Sequence, residues 1–375
     1  MKRNTNYNHE RYGQQYYIIK PNKYIVSYEK FNRPLIELRI IKDSYILKLE
    51  SDNRSKIINI LDDLSEVENE IKKINKKVRL NYTLSELNLA RLYSRLKIYY
   101  KYEINLEDDY IINNGFIKCN EIISYFDIIK NCESYNYICN GKSCNGLSSA
   151  LEYNLKLKSI LNYNGLLIND LESIDKSYNY DNNVNWICEN YNLSEEECVN
   201  NFIESYKNYK FDLYIGDDHE EDNILKLKNT DLMYNQIKIG LNIIKENGIM
   251  ICRIYPEFNK KCVSTLYSLY KLFKSVYLFR PMSSKFENLE LYIICIGLKS
   301  DLKRDIKMID EIDLRFYTLL EMYLKNVYED RYNIIKDTLL IINRYKRSDI
   351  EKNILKRILY PLREYKKKEY LKLFN

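Results

Sequence analysis

Residues 276–298 read VYLFRPMSSKFENLELYIICIGL. An apolar run ends at Arg280-Pro281, a polar Ser283-Ser284-Lys285 turn follows, and Glu290 opens a second, mostly apolar run. Two short runs of β-branched and aromatic residues joined by a polar connection predict paired strands. Periodicity alone says no more than β-hairpin. What the hairpin belongs to is set by the chain in front of it.

From about Leu106 to Leu298 helix-like and strand-like segments alternate, the pattern of an α/β sheet. The expected strands are Tyr137–Asn140, Gly165–Ile168, Val184–Cys188, Phe211–Gly216, Gly248–Tyr255, Val276–Phe279 and Leu291–Gly297. Ahead of Gly248, Leu232, Met233, Ile237, Leu241 and Ile244 share one helix side, which puts Gly248 at the C′ position. The first strand leads into NGKSCNGLSSA at 140–150. A tight loop opening a helix at that point of a doubly wound sheet is where a nucleotide-like cofactor binds. A phosphate-binding G-x-x-x-x-G-K-S loop would need glycine at 136, and that residue is Asn136. Asp170, after the second strand, is either an acceptor for a ribose diol or an ordinary turn residue.

The 375 residues suffice for one large domain with flanking elements. We expect a mainly helical N-terminal extension (1–105), the α/β domain (106–300) and a basic helical C-terminal extension (301–375). In the first, Ser55 to Lys77 carries Ile57, Ile58, Ile60, Leu61, Leu64 and Val67 at helical spacing, and Thr83-Leu84-Ser85-Glu86 is a capping box ahead of a helix toward Tyr100. That block suits a partner or RNA surface or a lid and holds no chemical motif. In the last, 18 Lys and Arg stand against 13 Asp and Glu, either a solvated helical face or an RNA- or partner-binding extension.

The net charge of +6 permits an anionic partner without demanding one. The 38 tyrosines come with an excess of Ile, Asn and Lys, the composition of an AT-rich genome, so aromatic content alone does not argue for nucleic-acid binding. Nine cysteines form no C-x-x-C pair, and His9 and His219 are the only histidines, so no zinc site is expected. Cys252 and Cys295 lie in apolar runs, where a thiol behaves as a small hydrophobe. No secretory segment opens the chain and no apolar run is long enough to span a membrane, so a soluble chain with reduced thiols is expected.

Residues 280–292 are similar to the K-P-x-S-S-R-x-x-x-S-E-x-Y signature that closes the catalytic domain of FtsJ/RrmJ-like cap-specific mRNA (nucleoside-2′-O-)-methyltransferases, including those of large cytoplasmic DNA viruses. Arg280-Pro281 matches the Lys-Pro, Ser283-Ser284-Lys285 the Ser-Ser-Arg, and Glu290-Leu291-Tyr292 the Glu-x-Tyr. The loop at 139–148 resembles the family's D-x-G-x-x-P-G-G-[FW]-S. Gly141 and Gly146 fall on its first and last glycines and Leu147-Ser148 on its Phe/Trp-Ser, while Cys139 replaces the acid and Cys144-Asn145 replaces Pro-Gly.

The resemblance implies a Rossmann-like S-adenosylmethionine-dependent methyltransferase, a seven-stranded sheet with its last two strands hairpinned. It implies S-adenosylmethionine held by Cys139, Gly141, Asn145, Gly146, Leu147 and Asp170, and RNA contacted by Ser283, Ser284 and Lys285. It also implies a Lys-Asp-Lys-Glu tetrad around the target 2′-hydroxyl. Lys118, Asp217 and Glu290 take three of its places, Asp218 follows where the family has glycine, and the third place is Arg253 in GIMICRIY. The acidic run 217–222 then reads as one catalytic carboxylate followed by a solvated loop, not as a Mg²⁺ site.

Arg253 changes the chemistry. A lysine whose pKa is lowered by burial and a neighbouring cation can take a proton from a hydroxyl, whereas arginine stays protonated. Arg253 can position the hydroxyl or a phosphate and balance Asp217 and Glu290. The base role then falls to Lys118 or Asp217, or the reaction relies on proximity. The expected activity is ribose 2′-O-methylation at the 5′ cap region of mRNA, in a host cytoplasm or virion, with other capping or transcription proteins as further partners and no membrane. The alternative is a catalytically degenerate methyltransferase-fold subunit with a structural or RNA-binding role in such a complex.

Overall fold

The seven expected strands all form, and they share one sheet. The computed structural model describes residues 46–49, 57–59, 67, 69–70, 73–74, 110–130, 132–141, 143–168, 184–187, 193–218, 230–255, 258–281, 284, 289–300 and 302–344. In chain order the elements are β1 (Ile46–Lys48), β2 (Ile57–Asn59), α1 (Asn114–Phe126), β3 (Tyr135–Asn140), α2 (Cys144–Leu157), β4 (Tyr163–Ile168), β5 (Val184–Ile187) and α3 (Glu196–Tyr206). They continue as β6 (Phe211–Gly216), α4 (Thr230–Ile243), β7 (Ile244–Ile254), α5 (Lys260–Leu272), β8 (Phe273–Phe279), β9 (Leu291–Leu298), β10 (Glu311–Asp313) and α6 (Leu314–Arg344).

The sheet runs β1-β8-β9-β7-β6-β3-β4-β5. The block from β7 through β6, β3 and β4 to β5 is parallel, and β9 enters antiparallel between β7 and β8. The order reverses at β3: the chain steps outward to β4 and β5, then returns to β6 on the other side. In such sheets the crevice at the carboxyl ends of the two strands flanking the reversal is the natural ligand site. An eighth strand, β1, pairs antiparallel with β8 and covers its edge, which an isolated hairpin would have left open.

Both faces of the sheet are buried, so its central strands are apolar throughout instead of alternating. Phe116, Leu151, Tyr137, Leu213, Ile251 and Ile294 pack beneath α1 and α2. Ile138, Tyr214, Met250, Cys252, Ile293, Leu266 and Leu320 pack on the other face against α4, α5 and α6. Cys252 and Cys295 are both buried there, and burial raises both thiol pKa values.

Three expectations need correction. Ile57–Asn59, expected in a helix, is a strand paired antiparallel with β10, while helical turns occur at residues 67, 69–70 and 73–74. The partner strand lies some 250 residues away, where local spacing carries no information about it. Gly248 is not a helix C′ residue: α4 ends at Ile243, and β7 passes through a bulge in which Asn247 holds the left-handed conformation (φ +60). The chain after Leu298 is not helical throughout, because 302–310 is irregular and β10 precedes α6. The helix expected at 83–100, Cys188 and residues 345–375 lie outside the described residues.

Lys210, exposed in the turn between α3 and β6, has φ +55. A Cβ in left-handed backbone is disfavoured, so Lys210→Gly stabilises the protein by about 1 kcal/mol. The urea midpoint rises at an unchanged m-value. A lowered midpoint contradicts the strain.

Candidate active site

β7 and β9 build the floor of the site by alternation. Ile249 and Ile251 point toward α1 and α2, so Arg253 and Tyr255 follow on the same face. On antiparallel β9, Ile294, Tyr292 and Glu290 do likewise, with Tyr292 directly opposite Arg253. Asp217 comes from the first residue after β6, its N–H bonded to the Asn140 carbonyl at 2.9 Å. Lys118 descends from the second turn of α1, whose first turn is fixed by the Asn113 side chain accepting the Phe116 N–H.

These residues converge. Lys118 Nζ lies 2.5 Å from Glu290 Oε1, Arg253 Nη2 is ion-paired with Glu290 Oε2, and Arg253 Nη1 stands 3.7 Å from Asp217 Oδ1. The buried Tyr292 hydroxyl donates to Asp217 Oδ1 at 2.8 Å, and Arg253 Nη2 donates to the Tyr255 hydroxyl at 2.5 Å. Ser284, also buried, adds its hydroxyl beside the Glu290 carboxylate. Glu290 is 0% exposed and Asp217 1%, so two cations and two carboxylates balance within a nearly dry cluster.

Burial alone would raise the Glu290 pKa. Arg253 and Lys118 outweigh it and hold the carboxyl below the ordinary carboxylate range. Burial also opposes the charge on Arg253, but Glu290, Tyr255 and Asp217 raise its pKa still further, so the guanidinium is a permanent cation. Burial first, then Asp217, raises the Tyr292 phenol, which stays protonated and donates. Arg253 therefore acts as a fixed cationic donor, with Asp217 facing it and Lys118 held on the other Glu290 oxygen.

The loop expected to hold the cofactor starts where β3 ends. Gly141 has φ +115, and a Cβ there would come within 2.5 Å of the Asp217–Asp218 backbone, so only glycine lets the two loops pass. Gly146, in the first turn of α2, touches the Asn113 side chain so closely that a Cβ would overlap it. Asn145 is buried beside Cys144. The turn after β6 is clamped from α4: Gln236 accepts the Asp218 N–H at 2.9 Å and donates to its carbonyl at 3.0 Å.

Two observations fit an adenosyl-type cofactor here. The Asn140 amide is buried at the carboxyl end of β3, near the Tyr214 hydroxyl, yet closes no well-formed hydrogen bond. The N-terminus of α2 follows immediately, and its N-cap Ser143 makes no side-chain capping bond. An unsatisfied amide and a helix N-terminus suit the hydroxyls and carboxylate of such a group. Gly141, Asn145 and Gly146 would carry the loop that holds it.

Two of the expected cofactor residues turn inward. The Cys139 thiol is fully buried in the core beneath α1, and burial with Cys119 and Cys144 beside it raises its pKa. Leu147 is buried, and its N–H bonds to the Ser143 carbonyl. Both support the loop rather than face it. Asp170, Ser283 and Lys285 lie outside the described residues. Among the described residues no group of three or more His, Cys, Asp or Glu side chains could hold a metal ion, and no helix is long and apolar enough to cross a membrane.

Asn113, Asn140, Gln236, Tyr255 and Tyr292 are site residues beyond those expected. The i, i+2 spacing of Tyr255 from Arg253 and of Tyr292 from Glu290 was a usable signal, since both fall on the buried face. Gln236, one polar residue on an apolar helix side, carried none.

A protein-family model, the FtsJ-like methyltransferase, matches residues 111–298. Similar proteins include Cap-specific mRNA (nucleoside-2′-O-)-methyltransferase 1 of Xenopus laevis, 35% identical over 79 residues, or 21% of this chain and 9% of that protein. The Homo sapiens protein of the same name is 33% identical over 79 residues, 21% of this chain and 10% of its own. The matched stretch thus spans about a tenth of these relatives' length.

Proposed function

Because the chain belongs to the FtsJ-like methyltransferase family, we propose that it is an RNA ribose 2′-O-methyltransferase acting on the 5′ cap region of mRNA. The convergence of Lys118, Asp217, Arg253 and Glu290 in one buried cluster carries this reading. The similarity to the frog and human cap-specific enzymes supports the cap as the place of transfer.

S-adenosylmethionine is the cofactor, and it supplies a sulfonium-bound methyl group open to attack by oxygen. Gly141, Asn145 and Gly146 hold it at the carboxyl edge of β3. Lys118 and Arg253, donors only, grip the acceptor's oxygens or an adjoining phosphate. Glu290 keeps the two cations at a fixed spacing. Tyr292 pins one Asp217 oxygen, which orients the carboxylate toward the acceptor hydroxyl. Asp217 is placed to take the proton that the acceptor hydroxyl gives up when it is methylated. Arg253 supplies positive charge and placement and takes no proton.

Given a tritiated donor, the protein labels N7-methylated capped RNA and leaves the 5′-triphosphate RNA of the same sequence unlabelled. Equal labelling of both removes the cap from the proposal. A second reading, a degenerate methyltransferase-fold subunit in a capping or transcription complex, is favoured by Arg253 and by Cys139, which places a buried thiol where the family has an acid. Calorimetry separates the two. Donor binding supports the enzyme, and absence of binding together with absence of labelling supports the subunit.

A further inference from the structure

Arg253 sits where a single-nitrogen side chain is expected, and its larger fork needs more acceptors than a lysine would. Glu290 meets Nη2, and Asp217 faces Nη1 only at 3.7 Å, beyond hydrogen-bond reach. Tyr255 adds a further acceptor. Its hydroxyl accepts from Nη2 at 2.5 Å, and the guanidinium carbon lies 5.4 Å from its ring centroid. Tyr255 follows the last residue of β7, two positions from Arg253 on the same sheet face, and is only partly buried, at the mouth of the cluster.

We infer that Tyr255 is the positioning residue that lets an arginine serve at position 253, by fixing the guanidinium so that Nη1 is presented toward Asp217. An arginine side chain has several rotatable bonds and five N–H groups, so an ion pair to a single one of its nitrogens does not by itself fix the guanidinium plane. A second acceptor on the same nitrogen restrains it, and the ring limits how far the plane can tilt. A lysine at 253 would present one nitrogen, which Glu290 alone can orient. The contribution that the Tyr255 hydroxyl makes through this contact is therefore specific to arginine. This inference rests on the methyltransferase reading for its rate measurements alone.

The test is a double-mutant cycle of Tyr255→Phe and Arg253→Lys, read in single turnovers on capped RNA and paired with nitrogen NMR of isotope-labelled arginine. With Arg253 in place, Tyr255→Phe lowers the transfer rate by about tenfold or more with little change in the KM for RNA. In the Arg253→Lys background the same exchange changes the rate less than about twofold. In the NMR, rotation of the Arg253 guanidinium is slow in the wild type and faster in Tyr255→Phe. Equal rate losses in both backgrounds, or none in either, overturn the inference. If the wild type transfers no methyl group, the methyltransferase reading fails and the NMR alone decides, an unchanged rotation overturning the positioning role.

Discussion

Exchanging Glu290 for glutamine lowers the unfolding free energy at neutral pH by about 3–5 kcal/mol, the range for breaking a buried ion pair by removing one partner. Glu290 is 0% exposed between Lys118 and Arg253, and its loss leaves two buried cations facing each other. The carboxyl pKa is lowered in the folded protein, so between the native and unfolded values the unfolded chain binds more protons. The stabilisation is thus fully present above the ordinary glutamate pKa of about 4.3 and is lost as the pH falls below it toward the native value. Urea unfolding of both proteins at neutral pH, and again in the acid range below about pH 4, measures this. The gap is wide at neutral pH and narrows on acidification. A gap below about 1 kcal/mol, or one independent of pH, contradicts the ion-pair account.

Asp217→Asn lowers the methyl-transfer rate by about 10²–10⁴-fold, the range for losing a general acid–base group. The asparagine oxygen can still accept the Tyr292 hydroxyl, so the loop keeps its place and the fold survives. The change removes the negative charge facing Arg253 and, with it, the proposed acceptor of the hydroxyl proton. Donor affinity, which we assign to the loop at Gly141 to Gly146, stays close to the wild-type value in calorimetry. A loss of less than about threefold would show that Asp217 does not take the proton, leaving proximity as the source of the rate.

The strands and the four charged residues were legible because each leaves a local mark. Strands buried on both faces print continuous apolar runs, as in LYIICIGL at 291–298, and Lys118, Asp217 and Glu290 each stand beside a recognisable motif. Residues whose role depends on distant partners left no mark. Gln236 is an ordinary polar residue until α4 folds against the turn after β6. Asn113 caps α1 and also fills the space that Gly146 leaves open, a pairing that local sequence does not show. Ile57–Asn59 spaces its apolar residues as a helix would and becomes a strand because Glu311–Asp313 pairs with it. The cofactor loop was half legible: its glycines mark the turn, while the inward burial of Cys139 and Leu147 followed only from the packing beneath α1.

The proposed activity is methyl transfer to a ribose 2′-oxygen by a cluster whose third member is an arginine. The most direct measurement incubates the wild-type protein with tritiated S-adenosylmethionine and N7-methylated capped RNA, alongside the same RNA carrying 2′-deoxyribose at its first nucleotides. Label is expected in the ribose RNA, recovered in a dinucleotide resistant to alkali, and none in the deoxy RNA. Label in the deoxy RNA, or no label in either while donor and RNA both bind, would contradict the proposed activity.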